Sequence, residues 1–244
     1  MRAADGTITT FEAPGAGTGS REGTQAMSIN AGGGITGSYA DESGKAHGFV
    51  MAADGAFATF DPPGSGSTLP QSINESYAVT GYYSDSAGVA HGFARAADGA
   101  VTEFDAPGAG TAGGLGTYAF SINTAGTIAG YYDNGDNVHH GFVRAANGFI
   151  TTFDPPGSGT GEFQGTYALN INEDGAIVGH YVDANTLYQA FARSSSGAIT
   201  SFEAPGAGTH VDEGSSATSI GNAGNIVGSY SDASHVNHGF VMTP

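Results

Sequence analysis

The sequence predicts an all-β fold, a five-bladed β-propeller of four-stranded antiparallel blades, and three observations support this prediction. The composition is typical of a turn-rich β-sheet protein, since 42 of the 244 residues are Gly, only 12% are charged, and Cys and Trp are absent. Two motifs recur along the whole chain at a nearly constant spacing. Hydrophobic residues make up 39% of the chain, which favours a packed core over a disordered Gly-rich polymer.

Both motifs occur five times. Copies of F-[DE]-x-P-G-[AS]-G begin at Phe11, Phe60, Phe104, Phe153 and Phe202. Copies of G-x-Y begin at Gly37, Gly81, Gly130, Gly179 and Gly228, and each is followed 12 residues later by Phe49, Phe93, Phe142, Phe191 and Phe240. Because these ten Phe recur in every copy, we expect them to form the hydrophobic core between blades and not a binding site.

Each copy contains four short β-rich segments, shown here for the first. The segment "AMSIN" is followed by an N-x-x-G turn at 30–33, and "ITGSY" is followed by the loop "ADESGKA". The third segment is "HGFVM", and the dipeptide Asp54-Gly55 separates it from the fourth, "AFATFD". Asp-Gly between β-rich segments predicts a type I′ hairpin turn, in which both central residues have positive φ. Four antiparallel strands per period are typical of a propeller blade.

The two ends of the chain complement each other. It begins with a turn and a fourth strand at 7–12 that lacks a partner, and it ends on a third strand that lacks its successor. We therefore expect five blades at 25–61, 69–105, 117–154, 166–203 and 215–242, with 7–12 completing the last blade and closing the ring. Closure would remove two free sheet edges. The alternative is a linear array that does not close.

The charge of the chain excludes some classes of partner. Six Lys and Arg against 23 Asp and Glu give a formal charge of −17, which repels nucleic acid and anionic membranes. No segment has the roughly 20 apolar residues needed to span a bilayer. There is no thiol for a disulfide or a nucleophile. We expect a monomer that neither binds nucleic acid nor inserts into membranes.

The segments "SINTAGTIAGYY" and "HGFVRAANGFITTFDPPG", with their copies, resemble the bacterial extracellular HAF-repeat family, named for a His-Ala-Phe core. Four copies here carry His-Gly-Phe, and the fourth copy carries Gln189-Ala190-Phe191. The resemblance implies a propeller-like repeat in a protein exported to the outside or the surface of a bacterium. The sequence shows no secretion signal, so export would require a leader that this sequence lacks. The family implies no established activity and no catalytic residue.

A ligand site is expected on one rim of the ring. The loops between second and third strands and the segments that join one blade to the next lie on the same rim, which we call the loop face, and most of the 23 carboxylates fall there. Such a rim favours cations or neutral polyhydroxylated ligands. The alternative is that these carboxylates are solvated or fix turns. Aromatic candidates for sugar stacking are Tyr118, Phe163, Tyr167, His180 and Tyr188, for which inter-blade packing is the alternative.

Two clusters are candidate metal sites. The segment "YYDNGDNVHH" supplies Asp133, Asp136 and His139, in an oxygen-rich loop of the kind that Ca²⁺ accepts. The segments "THVDEG" and "SDASHVNH" supply a set that suits a transition metal, namely His210, Asp212, Glu213, Asp232 and His235. Neither spacing is diagnostic. The His of the His-Gly-Phe motif recurs in four copies, so a structural hydrogen-bonding role is expected for it.

The sequence therefore favours a noncatalytic, exported binding module whose loop face takes a glycan, with Ca²⁺ as an optional aid. No G-x-S-x-G, H-E-x-x-H or phosphate-binding motif is present. One alternative is a polysaccharide-active enzyme that uses two loop-face carboxylates. Another is a purely structural or interaction propeller.

Overall fold

A computed structural model describes Gly6 and residues 8–244. Every named element in this part of the chain is a β-strand, so the predicted all-β class is confirmed. The described residues include no helix that could cross a membrane.

The 19 strands fall into five repeat units, which we number 1 to 5 along the chain. Their bounds are, in unit 1, β1 Gly23–Ile29, β2 Ile35–Ala40, β3 Ala46–Met51 and β4 Phe57–Phe60; in unit 2, β5 Ser67–Ile73, β6 Val79–Ser84, β7 Ala90–Arg95 and β8 Val101–Phe104; in unit 3, β9 Gly116–Ile122, β10 Ile128–Asp133, β11 His139–Arg144 and β12 Ile150–Phe153; in unit 4, β13 Gly165–Ile171, β14 Ile177–Val182, β15 Tyr188–Arg193 and β16 Ile199–Phe202; and in unit 5, β17 Gly214–Ile220, β18 Ile226–Ser231 and β19 Asn237–Met242.

Within a unit the strands pair antiparallel in sequence order, as the sequence predicts. The hairpin after the third strand forms, but the predicted type I′ turn is wrong. In unit 1 the amide of Gly55 donates to the carbonyl of Ala52, and Gly55 has φ +88° while Asp54 is not among the residues with positive φ. This pattern is a type I turn followed by a left-handed Gly, which needs only one residue of positive φ. Asp54 instead accepts the amide of Ala56 through its side chain.

The hydrophobic core lies between successive units. The Phe of the third strand is fully buried in units 1 to 4. The fourth-strand Phe of one unit packs edge-on against the third-strand Phe of the next. The ring centroids of Phe60 and Phe93 are 5.6 Å apart, and those of Phe153 and Phe191 are 5.9 Å apart. Four of the ten repeated Phe are fully buried and the other six are partly buried against the core clusters, which confirms their predicted core role. Full burial of a Phe contributes about 1.5–3 kcal/mol.

Asparagine side chains link one unit to the next through the turn that follows the first strand. The side-chain amide of Asn30 donates to the carbonyl of Asn74 (3.0 Å), and Asn74 donates to Asn123 (2.9 Å) in the same way. Asn123 donates to the carbonyl of Asn172, and Asn172 donates to that of Gly221. Each Asn also accepts, through its side-chain oxygen, the amide four residues further along its own turn. We call this row the Asn ladder.

The predicted ring closure is not seen among the described residues. β19 pairs with β18 alone among the named strands, and β1 pairs with β2 alone. The predicted closing strand, 7–12, begins at a residue outside the described part, and its Phe11 packs on Phe49 and Phe57 of unit 1 (6.2 and 6.1 Å). Ile29 of β1 and Val241 of β19 are exposed. The named strands of the described residues therefore form an open series of five units.

Candidate functional site

The loop face is assembled as the sequence predicts. In each unit the Pro-Gly segment after the preceding fourth strand donates an amide to the end of the second strand, as Gly110 does to the carbonyl of Asp133 and Gly159 to that of Val182. Four carboxylates on this face fix turns. The side chain of Asp85 accepts the amides of Ala87 and Val89. Asp41, Asp183 and Asp232 accept the corresponding amides, which confirms the turn-fixing alternative for these four residues.

The His of the His-Gly-Phe motif has a structural role, also as predicted. Nδ1 of His47 contacts Asp61 (2.6 Å), and Nε2 contacts Asp41 (3.2 Å). His91 and His140 make the same bond to the carboxylate that ends their own fourth strand. Burial lowers the pKa of His47, but its hydrogen bonds to Asp61 and Asp41 outweigh this and raise the pKa above its ordinary value. The hydrogen bonds from Ser43 and His47 lower the pKa of Asp41.

A row of aromatic rings runs along the inner strands of units 2 to 4. Three of the predicted ligand residues contact one another in this row. The ring of Tyr167 stacks on that of His180 (4.7 Å between centroids), and the ring of His180 contacts that of Tyr188 (5.3 Å). On the other side Tyr167 meets Tyr131 (4.9 Å), which stacks on Tyr118 (5.2 Å). Tyr118, Tyr167 and His180 thus pack between strands and units, which is the alternative that the sequence left open.

Burial keeps this row neutral. The pKa of Tyr118 is raised to about 12 by burial and by the charge of Asp133. Burial and the charge of His139 lower the pKa of His180 to about 4, so its imidazole is uncharged at neutral pH. Its Nδ1 lies 2.8 Å from the hydroxyl of Ser216 in the next unit. These groups therefore act as a packed polar and aromatic seam.

The row ends at a cavity of about 230 Å³. One of its two aromatic lining residues is Tyr188, the last ring of the row. The repeat positions of Tyr118, Tyr131 and His139 are filled in unit 5 by Ser216, Ser229 and Asn237, whose small side chains leave the space open. The remaining lining residues are Asp212, Glu213, Gly214, Tyr230 and Ser231.

Glu213 supplies a buried carboxylate at this cavity, since its side chain is only 2% exposed. One oxygen accepts the backbone amide of His210 (2.8 Å), and this bond lowers the pKa of Glu213. Gln164 closes the equivalent loop of unit 4 in the same way, by accepting the amide of Gly161 (2.9 Å). The second oxygen of Glu213 lies 3.9 Å from Nε2 of His235. The loop bond thus fixes an ionised carboxylate at the cavity wall.

The structure does not gather either predicted metal cluster into a coordination site. No group of three or more His, Asp or Glu side chains among the described residues is arranged to hold a metal ion. Asp133 turns inward to the ring of His139, while Asp136 stays exposed. In the second cluster His210 and His235 approach Glu213. Asp212 lines the cavity, and Asp232 holds its own turn and His238.

Of the five predicted ligand residues, only Tyr188 lines this cavity. Phe163 is 63% exposed, in a loop where its amide donates to the carbonyl of Asn137, and it lies outside the aromatic row. Sequence reasoning missed Ser216, Ser229 and Asn237. Comparing the repeats could have found them, because unit 5 carries small polar residues where units 3 and 4 carry rings.

A search of protein-family models finds no match, and no curated protein matches the sequence. Solved structures do match. An Asn-to-Gln variant of Aleuria aurantia lectin in complex with alpha-methyl-L-fucoside aligns with a TM-score of 0.51 and 14% identity, over 89% of this chain and 72% of that chain. The fold is that of a β-propeller. The same lectin variant in complex with Fucalpha1-6GlcNAc aligns with a TM-score of 0.47 and 14% identity, over 89% of this chain and 74% of that chain.

Proposed function

We propose that the protein is a noncatalytic glycan-binding module and that a sugar ring lies in the cavity against Tyr188. The observation that carries this proposal is the convergence there of two tyrosine side chains, the buried carboxylate of Glu213 and several hydroxyl and amide groups. Sugars present apolar C–H faces for an aromatic ring and hydroxyls for polar partners. Binding sites for small molecules typically combine an apolar wall with a few placed polar groups.

Charge and fold likeness support a neutral, polyhydroxylated ligand. The chain carries a formal charge of −17, and the fixed carboxylate of Glu213 repels anions while accepting hydroxyl hydrogen bonds. The structurally similar lectin was solved with a methyl fucoside, so fucosides are the first sugars to test. A surface location on a bacterium rests on the sequence resemblance alone and stays part of the proposal.

The enzyme alternative is not favoured by the carboxylates of this cavity. Glycoside cleavage by a carboxyl pair needs one group with a raised pKa to protonate the leaving oxygen. The hydrogen bond from His210 lowers the pKa of Glu213. Glu203 has a pKa raised by burial, but it does not line the cavity. We therefore propose binding without turnover.

A glycan array followed by titration calorimetry tests the proposal. We expect retention of neutral glycans and at least tenfold weaker binding by Tyr188→Ala, which corresponds to about 1.4 kcal/mol. Glu213→Gln should fold normally, because Gln164 closes the equivalent loop, and should bind more weakly because a charge-assisted hydrogen bond is lost. Phe163→Ala is the matched control and should bind like the wild type. An array without retained glycans, or full binding by Tyr188→Ala, would refute the proposed site.

A further inference from the structure

The first strand of unit 1 presents a face that is buried in every other unit. Ile29 is 56% exposed, whereas the Ile at the same repeat position is at most 9% exposed in units 2 to 5. Ala26 is likewise exposed, whereas Ala119 and Ala168 are fully buried. In units 2 to 5 this face packs on the preceding unit. Unit 1 therefore has the surface of an inter-unit interface without its partner.

Unit 5 presents the opposite half of the same interface. Val227 is 45% exposed, whereas Val178 at the same position of unit 4 is fully buried. Val241 is 67% exposed, whereas Val50 of unit 1 is buried against unit 2. β19 also has one unpaired edge among the named strands. Exposed apolar edge strands are ready templates for pairing with another chain.

In the described part of the chain, Gly239 in unit 5 lacks the Phe ring that covers the equivalent Gly in other units, and this shows how the two halves would fit. In units 1 to 3 the fourth-strand Phe covers the Gly of the third strand, so that a Cβ on Gly48 would lie 2.8 Å from the ring of Phe60 and one on Gly92 would lie 2.6 Å from that of Phe104. Among the described residues, a Cβ on the equivalent Gly239 would meet only the carbonyl of Gly228, at 3.9 Å. Phe11 packs forward on Phe49 as Phe60 packs on Phe93.

We propose that a second copy of this chain docks head-to-tail, with unit 1 of one copy on unit 5 of the other. In this arrangement Phe11 covers Gly239, and Ile29 and Ala26 pack against Val227. The hydroxyl of Ser219 is placed to accept the amide of Ile29, as that of Ser121 accepts the amide of Ile171 (3.2 Å). Because the contact is heterologous, it generates a filament or a larger ring. This association replaces the monomer expected from the sequence.

One feature favours a second copy over closure within one chain. The four internal junctions are formed while the faces of units 1 and 5 stay exposed, and a second copy covers both faces without altering those junctions. The unit 5 to unit 1 junction lacks one rung of the Asn ladder, because unit 5 carries Gly221 where the other units carry Asn. The association is therefore expected to be weaker than the internal junctions and reversible. It does not rest on glycan binding and is measured without ligand.

Sedimentation velocity over about 1–500 μM tests the proposal, since head-to-tail association depends on concentration. We expect the wild type to form larger species as concentration rises, and Ala26→Arg or Val227→Arg alone to remain monomeric. A mixture of the two variants should stop at a dimer, because each retains one intact face. Phe149→Arg alters another exposed apolar residue and should associate like the wild type. A wild type that is monomeric throughout, or Arg variants that still associate, would overturn the proposal.

Cross-linking separates a second copy from closure within one chain. The chain has no Cys, so Ile29→Cys with Ser219→Cys reports on this junction alone. We expect disulfide-linked multimers on a non-reducing gel, whereas Ser121→Cys with Ile171→Cys should give only an intrachain link. An intrachain link between the introduced Cys at 29 and 219, or no link, would contradict docking of a second copy.

Discussion

Ile29 and Ile171 occupy the same repeat position, at the end of the first strand of units 1 and 4, but their surroundings differ. Ile171 is 6% exposed and packs in a cluster with Ala129, Ile177 and Phe191. Ile171→Ala should lower the free energy of unfolding by about 2–5 kcal/mol, because it removes buried carbons and leaves a cavity. Ile29→Ala removes the same carbons from a residue that is 56% exposed. At about 0.8 kcal/mol per buried CH₂, its effect should be roughly 1 kcal/mol or less.

Thermal unfolding followed by circular dichroism, at a protein concentration of about 1 μM, measures the difference. For a chain of this size each kcal/mol shifts Tm by about 2–4 °C, so we expect a fall of roughly 4–20 °C for Ile171→Ala and about 4 °C or less for Ile29→Ala. The low concentration keeps copies apart. An equal fall for both variants would show that Ile29 is buried within a single chain, and would refute the open series of units.

Three further predictions concern the Asn ladder, the His slot and calcium. Asn123→Ala should lower the free energy of unfolding by about 1–3 kcal/mol in urea titrations, because it leaves buried backbone groups unpaired. Asn123→Asp keeps the acceptor and should lower the free energy of unfolding less. Equal losses of stability in the two variants would contradict a donor role for the side chain. The raised pKa of His47 adds stability that is fully present below pH 6.5 and is lost as pH rises above the folded-state pKa. The advantage of the wild type in Tm over His47→Gln should therefore shrink above neutral pH, and an advantage that grows there would contradict the pairing of His47 with Asp61. The lowered pKa of Asp41 adds a separate contribution to stability, which is lost as pH falls through the acidic range. Chelation should leave Tm unchanged in the wild type and in Asp133→Ala, and a Ca²⁺-dependent rise in wild-type Tm would revive the calcium site.

Much of the fold could be predicted because each unit encodes its strands locally. The Gly of the N-x-x-G and Asp-Gly turns have positive φ at Gly33 and Gly55, which few other residues tolerate. The repeated Phe identified the core without any knowledge of the contacts. The hairpin turn type was wrong because Asp-Gly fits both a type I′ turn and a type I turn with a following left-handed Gly.

The terminal surfaces could not be predicted in the same way. Ile29 and Ile171 have the same local sequence pattern, and only their neighbours in space decide that one is buried and the other is exposed. Only part of the candidate site could be predicted, because its cavity also depends on neighbours in space. Tyr188 and Glu213 stand out by residue type, but the cavity beside them depends on Ser216 and Ser229, whose small size matters only where rings occupy the other units.

The Asn ladder ties the integrity of each turn to contact with the next unit. Each Asn accepts an amide of its own turn and donates its side-chain amide to a carbonyl of the following unit. A distortion of one turn therefore also misplaces the donor that holds its neighbour, so damage at one Asn affects two units at once.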